Sequence, residues 1–196
     1  MKSTRTILWI LAALLSAAAL SVERRITAYA PSPHYDEMVR AAELMRDAAE
    51  RVRAARAAAG FDLDLLRDPN RTGLVGVEYS ETTTSLGDLE AKRTSASPDA
   101  AALAVLLLRE AGVERGDAIA VGASGSFPGL SLAVLSAARA LDLDVALVAS
   151  LGASSWGANI PGFSYLRIHE AAQPVLGYRS EEHTSELQSR FGISYA

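Results

Sequence analysis

The sequence predicts an α/β fold in which an N-terminal membrane helix precedes an open parallel sheet of the βαβ, Rossmann-like type. Three observations support this prediction. An unbroken apolar run occupies residues 7–22, and two shorter apolar runs occupy residues 118–123 and 145–150. A helical stretch, residues 128–141, lies between the two shorter runs. Such a strand–helix–strand unit is almost always right-handed, and continuous apolar strands are typical of parallel sheets covered on both faces.

The N-terminal segment has the features of a signal anchor. Lys2 and Arg5 precede the apolar run, and charged residues follow it at positions 23–25. As a helix the run is about 24 Å long, against a bilayer core of about 30 Å. The anchor predicts a single-pass protein of the cell membrane whose domain lies outside the cytoplasm. A cleaved, secreted form and a buried soluble helix are the alternatives.

Turn residues delimit the next elements. A breaker at residues 30–33 precedes a helix predicted over residues 35–59, and Gly60 suits the left-handed position that ends such a helix. The arginines of this helix indicate either a solvated face or a surface for a partner. We therefore assign residues 1–25 to the anchor and residues 26–60 to a linker and an amphipathic helix.

The remaining elements belong to the α/β domain, residues 61–178. A short strand is predicted over residues 74–78, followed by a polar segment up to residue 95. Ser97 is a favourable N-cap for a helix over residues 98–111, which stops at Gly112. The βαβ unit described above follows this helix.

Residues 179–196 read as translated sequencing adapter. The run 179–189 is what a common library adapter encodes, and residues 193–196 match the adapter on the far side of a variable index. We therefore expect the biological sequence to stop near Tyr178, the α/β domain to be truncated at its C-terminus, and His183 to belong to no site.

Composition excludes several classes of function. The chain has 196 residues, a formal net charge of −4 and no cysteine. It therefore offers no disulfide framework or thiolate metal site, and no general attraction for nucleic acid. Neither a phosphate-binding loop nor a dinucleotide fingerprint is present, and no cluster has metal-ligand spacing. No cofactor or metal is expected.

Two turns rich in glycine and serine are the main candidates for a binding site. They cover residues 122–129 and 150–159, and each follows a predicted parallel strand. Ligands of open parallel sheets bind outside the carboxyl ends of the strands, so both turns face the expected binding edge. The alternative is that glycine and serine serve only the geometry of the turns. The candidate ligand-binding residues here are Ser124, Gly125, Ser126, Ser154, Ser155, Trp156 and Asn159.

A third candidate region lies in the polar segment before Ser97. Glu78 ends a predicted strand, so its carboxylate is expected at the same edge. Arg71, Lys92 and Arg93 are cations in an acidic region and could hold a carboxylate. The alternative is that they are solvated loop charges.

Nucleophilic catalysis is a weaker possibility. Ser124 and Ser126 approximate the nucleophile-elbow pattern, but serine stands where its last glycine belongs. His169 is the nearest histidine in the sequence, and no acid is clearly placed to orient it.

Five stretches, in order, resemble the poly-γ-glutamate system protein family. They are residues 70–80 (NRTGLVGVEYS), 82–87 (TTTSLG), 91–94 (AKRT), 122–128 (GASGSFP) and 152–159 (GASSWGAN). The resemblance implies an N-terminally anchored accessory protein that accompanies the ligase and the membrane components which make and export a polymer of γ-linked glutamate. It supplies no catalytic residue that can be carried over.

Three hypotheses follow. The first is an accessory component of bacterial poly-γ-glutamate synthesis or export that holds a glutamyl carboxylate at the strand ends, with the membrane-embedded components and the polymer as partners. The second is an extracytoplasmic serine hydrolase or amide-transferring enzyme that acts on the polymer. The third is a structural subunit of a membrane complex, docked through the arginine-rich helix.

Overall fold

The computed structural model describes residues 2–26 and 32–177. The predicted breaker lies partly outside these residues, and the predicted adapter segment 179–196 lies entirely outside them. The chain forms two compact units, Met1–Pro33 and His34–Ala196.

Within its described residues, the first unit consists of the helix α1 (Lys2–Ile26). Among residues 2–26 and 32–177, no helix is both long enough and apolar enough to cross a membrane. The predicted membrane helix is therefore wrong, and so is the predicted localisation as a single-pass membrane protein. The physical reason is that the apolar run fills only part of α1, and at about 1.5 Å per residue it is shorter than a bilayer core.

The second unit carries five helices and six short strands within its described residues. The helices are α2 (Tyr35–Ala58), α3 (Leu89–Ser95), α4 (Asp99–Glu110), α5 (Pro128–Ala140) and α6 (Tyr165–Leu176). The strands are β1 (Thr83–Ser85), β2 (Ala118–Ser124), β3 (Asp144–Ser150), β4 (Ala153–Ser154), β5 (Asn159–Ile160) and β6 (Phe163–Ser164). The predicted helices at 35–59, 98–111 and 128–141 are confirmed as α2, α4 and α5.

The strands form three separate two-stranded sheets in the part of the chain that the structure describes. β2 pairs with β3 in parallel over seven residue pairs, β1 pairs with β4 in parallel, and β5 pairs with β6 antiparallel. The β2–α5–β3 unit is thus present, but the predicted open sheet is wrong. The strands are also not covered on both faces, since β2 and β3 contain no fully buried residue and Val148 is 66% exposed.

The predicted strand over residues 74–78 is irregular instead. Its backbone forms isolated hydrogen bonds with a turn rather than the regular ladder of a strand. The Gly76 N–H donates to the Trp156 carbonyl at 3.0 Å, and the Trp156 N–H donates to the Val77 carbonyl at 2.8 Å. An apolar run alone did not reveal this, because the partner is a turn rather than a strand.

The buried core lies among the helices. α2 packs against α4, α5 and α6, and the first part of the core contains Val52 of α2, Leu132 of α5 and Ile168 of α6. The second part contains Met45 of α2 and Val105 of α4. Apolar side chains at helical spacing drive this packing, and α5, sandwiched between helices, begins with a proline whose missing N–H costs nothing at that position.

Candidate functional site

The two glycine- and serine-rich turns lie side by side. Ser124 at the end of β2 is in register with Ser150 at the end of β3. The Gly125 N–H donates to the Ser150 carbonyl at 2.9 Å, and the Ala158 N–H donates to the Gly125 carbonyl at 2.7 Å. The expected parallel pairing of the two strands is therefore confirmed, and it brings the turns to the same edge.

Lys92 reaches these turns from α3. That helix begins at Asp88, whose side chain accepts a hydrogen bond from the Ala91 N–H at 2.8 Å. Lys92 is only 3% exposed, and its Nζ donates to Ser154 Oγ at 2.9 Å. The same Nζ lies 3.4 Å from the centroid of the Phe127 ring. The result is a buried amine between one hydroxyl and one aromatic face.

The electrostatic environment of Lys92 is unusual for a lysine. Burial lowers the pKa of its amine, and the nearby Asp88 carboxylate opposes that change. Among the described residues the amine contacts Ser154 and Phe127 and forms no ion pair. Burying a charge without a counter-charge is costly, and a desolvated cation–π contact offsets on the order of 2 kcal/mol of that cost.

Close backbone approach around Lys92 depends on Gly87. A Cβ at this position would lie 2.5 Å from the Ser155 carbonyl oxygen, 2.9 Å from Ser154 Oγ and 3.3 Å from Lys92 Cε. Any side chain would therefore push the segment off the Lys92–Ser154 pair. Because glycine has no Cβ, the backbone at Gly87 can lie directly against Lys92 and the second turn.

The other serines of the turns support Ser154. Ser126, half-buried, accepts a hydrogen bond on Oγ from the Ser154 N–H at 3.1 Å. Ser155 is buried, and its N–H donates to the Ser85 carbonyl at 2.9 Å. Ser124 is half-buried, and its carbonyl accepts from the Phe127 N–H at 3.2 Å. The hydroxyl of Ser154 thus contacts Lys92 directly, and the hydroxyl of Ser126 contacts the backbone of Ser154.

Trp156 contributes to the site through its backbone. Its φ is +63°, a left-handed conformation that costs on the order of 1 kcal/mol or more for a bulky side chain. The backbone bonds to Gly76 and Val77 described above hold it there. Strain of this kind persists only where the surroundings impose it.

Asn159 is a structural residue in this arrangement. It is fully buried, and its Oδ1 accepts from the Val77 N–H at 3.0 Å. Its Nδ2 donates to the Val77 carbonyl and to Thr83 Oγ1, both at 2.8 Å. The amide thus holds residues 77 and 83 against the second turn.

Arg93 contacts other residues than the Lys92–Ser154 pair, and Glu78 is exposed to solvent. Arg93 donates from Nε to the Arg67 carbonyl at 2.8 Å and from Nη2 to the Leu66 carbonyl at 2.7 Å, and it pairs with Glu90. The Glu78 side chain is exposed. Lys92 and Arg93 are adjacent in sequence, but α3 directs them to different neighbours.

His169 lies on the buried face of α6. Its ring meets Tyr165 edge-on, with centroids 4.4 Å apart. Burial lowers the pKa of His169 to about 4, so the ring is neutral at pH 7. The structure places it in the helical core next to Tyr165, whereas Ser126 lies beside Ser154.

Sequence reasoning missed the Lys92–Ser154 pair, although it named both residues. The available signal was Asp88, an N-cap residue that starts a helix carrying Lys92 one turn later. The pairing itself spans 62 residues. Comparisons with models of protein families, with curated proteins and with solved structures find no match to this chain.

Proposed function

We propose that this protein is an accessory component of bacterial poly-γ-glutamate synthesis or export and that Lys92 holds a glutamyl carboxylate where the two turns meet. The pathway rests on the sequence resemblance. The site rests on one observation: a buried ammonium whose contacts among the described residues are a serine hydroxyl and an aromatic ring. The partners of the protein are then the components that make and export the polymer.

A carboxylate suits this site chemically. It accepts charge-assisted hydrogen bonds, which are roughly twice as strong as neutral ones. It also supplies a negative counter-charge for the Lys92 ammonium. The Ser154 hydroxyl, which accepts from Lys92 Nζ, has its own proton to donate to the same carboxylate. The chain's net charge of −4 opposes loose attraction of a long polyanion, so recognition depends on local contact.

Lys92→Met tests the proposal. We expect its affinity for a short γ-linked glutamate oligomer to fall at least about thirtyfold, because removing one partner of a buried charged pair costs roughly 2 kcal/mol or more. Affinity of the unmodified protein is expected to fall as pH rises, since the amine loses its charge at a pH below the usual lysine range. Isothermal titration calorimetry measures both effects.

Arg93→Gln is the matched control for this experiment. It removes an adjacent cation that contacts the Leu66 and Arg67 carbonyls rather than the turns, so its affinity should equal that of the unmodified protein. Lys92→Met is expected to fold, because replacing a buried charge by an apolar side chain of similar length is often neutral or stabilising. Equal affinities of Lys92→Met and Arg93→Gln would contradict the proposal.

A second candidate function is amide hydrolysis with Ser154 as the nucleophile. The observation that favours it is the 2.9 Å bond between Lys92 Nζ and Ser154 Oγ, the arrangement of a serine–lysine dyad. The neutral amine accepts the Oγ proton while Oγ attacks the amide carbonyl. The C–N bond then breaks, the leaving amine takes that proton, and water hydrolyses the ester to regenerate Ser154.

The two candidates use opposite protonation states of Lys92. Hydrolysis needs the neutral amine, so its rate rises with pH, whereas carboxylate affinity falls. Ser154→Ala is expected to abolish release of new amino groups from the oligomer in the hydrolytic case, and to weaken binding by roughly tenfold or less in the binding case, where one hydrogen bond is lost. An unchanged oligomer after prolonged incubation with the unmodified protein contradicts the hydrolytic function.

A further inference from the structure

A cavity of about 540 Å³ lies outside the site described above. Its walls come from α2, from the loop at residues 70–72 and from the junction between α3 and α4. Arg46, Arg53 and Arg71 line it, with Glu50 as its single acidic lining residue. Asp47 lies 3.6 Å from Arg46, so three guanidinium groups meet two carboxylates here, and the surroundings of the cavity keep a net positive charge on a chain of net charge −4.

The ion pairs at this cavity are weak enough to be exchanged for a ligand. Arg53 lies 3.3 Å from Glu50, and Arg46 lies 3.6 Å from Asp47. These side chains are between 42% and 67% exposed, and exposed pairs of this kind contribute at most about 1 kcal/mol. The arginines are therefore available to an anion.

The loop that presents Arg71 is built around a buried carboxylate. Asp68 is 3% exposed and accepts hydrogen bonds from the Thr72 N–H at 3.1 Å, the Thr72 hydroxyl at 3.1 Å and the Gly73 N–H at 2.7 Å. Gly73 has φ +76°, and an added Cβ would lie 2.9 Å from the Arg53 Cα. The loop is thus held tightly against α2.

Arg71 itself occupies a strained backbone conformation. Its φ is +55°, in the left-handed region that glycine adopts freely and that arginine adopts at a cost. An arginine at such a position on the wall of a cationic cavity is consistent with a role for its side chain in binding.

We infer that this cavity is a second carboxylate subsite for the γ-glutamyl chain. The inference rests on the proposed function for its ligand class. Ala96 lines the cavity and follows Lys92 by four residues, which is about 6 Å along a helix. Lys92 itself does not line the cavity, but each γ-linked residue carries a free carboxylate, so one short oligomer has carboxylates to offer to Lys92 and to the arginines at the same time.

The test compares three ligands and four proteins by calorimetry. The ligands are a γ-linked glutamate hexamer, glutarate, which is too short to occupy both sites, and inorganic tripolyphosphate. The proteins are the unmodified chain and the variants Arg71→Gly, Arg53→Gln and Arg51→Gln. Arg51 is the matched control, since it is an exposed arginine of α2 that does not line the cavity.

We expect Arg71→Gly and Arg53→Gln each to bind the hexamer about three- to tenfold more weakly, as loss of one solvent-exposed hydrogen bond of ordinary strength predicts, and Arg51→Gln to bind it normally. Glutarate, which occupies one site at a time, should lose less affinity than the hexamer on Arg71→Gly and Arg53→Gln and none on Arg51→Gln. Arg71→Gly relieves backbone strain, so its melting temperature should not fall, and weaker binding cannot be ascribed to unfolding.

Three outcomes would overturn the inference. Equal hexamer affinities for the three variants would show that Arg53 and Arg71 do not bind the oligomer. The proposed function is tested separately, by the Lys92→Met variant. Inorganic tripolyphosphate that binds more tightly than the hexamer, with the same arginine dependence, reassigns the cavity to phosphate ligands. No binding of the hexamer by the unmodified chain removes both proposals.

Discussion

Replacing Gly76 by alanine is expected to lower the free energy of unfolding by about 3 to 5 kcal/mol. A Cβ at Gly76 would overlap the Gly157 carbonyl oxygen and Asn159 Oδ1. Both atoms belong to the second turn, and Asn159 is fully buried, so its Oδ1 cannot move without breaking its hydrogen bond to the Val77 N–H. The loss is a large share of the roughly 5 to 15 kcal/mol that stabilises a domain. Urea unfolding followed by circular dichroism measures it.

Gly122→Ala is the matched control. Gly122 lies in β2, and an added Cβ would meet no atom within 4 Å. Its stability should stay within about 1 kcal/mol of the unmodified protein. Similar midpoints for Gly76→Ala and Gly122→Ala would show that residues 74–78 do not pack against the second turn as described.

Asn159→Ala is expected to cost about 3 to 4 kcal/mol of stability. The change leaves the Val77 N–H without the acceptor that Asn159 provides and deprives Thr83 Oγ1 of a donor. Each buried polar group that loses its partner costs about 1 to 3 kcal/mol, and the lost side-chain volume adds to that cost. Equilibrium urea unfolding at a fixed pH measures the difference.

Asn70→Ala tests whether that cost is specific. Asn70 is an exposed asparagine, and surface substitutions of this kind usually change stability by less than about 0.5 kcal/mol. If Asn159→Ala were as stable as Asn70→Ala, the amide of Asn159 would not hold the two segments together. Asn159 would then return to consideration as a ligand-binding residue.

The helices and the βαβ unit were predictable because their signals are local. The apolar side chains of α2 recur every three or four residues, and β2 and β3 each span seven consecutive residues. Apolar content did not determine the environment of those runs, however. Val148 in β3 is largely exposed, and residues 74–78 bond to a turn instead of joining a sheet. The run at residues 7–22 gave the wrong prediction of a membrane-spanning helix for a related reason, since hydropathy was high over too short a length.

The candidate site was predicted in part. Parallel strands bring their carboxyl ends to one edge, so the meeting of the two turns followed from the order of the elements. The neighbours of Lys92 and Arg93 did not, because α3 points the first at Ser154 and the second at the Arg67 carbonyl. The hydrogen bond from Asn159 Nδ2 to the Val77 carbonyl was not predicted either, and the ligand-binding role of Asn159 stays a prediction.

Short-range patterning thus accounts for where the helices begin and end and for the parallel direction of β2 and β3. The contacts that give the site its chemistry arise only when distant segments pack. Lys92 and Ser154 are 62 residues apart, and the burial that lowers the pKa of Lys92 comes from Gly87, Phe127 and the second turn closing around it. Desolvation is a property of the whole packed environment, so no stretch of sequence carries it alone.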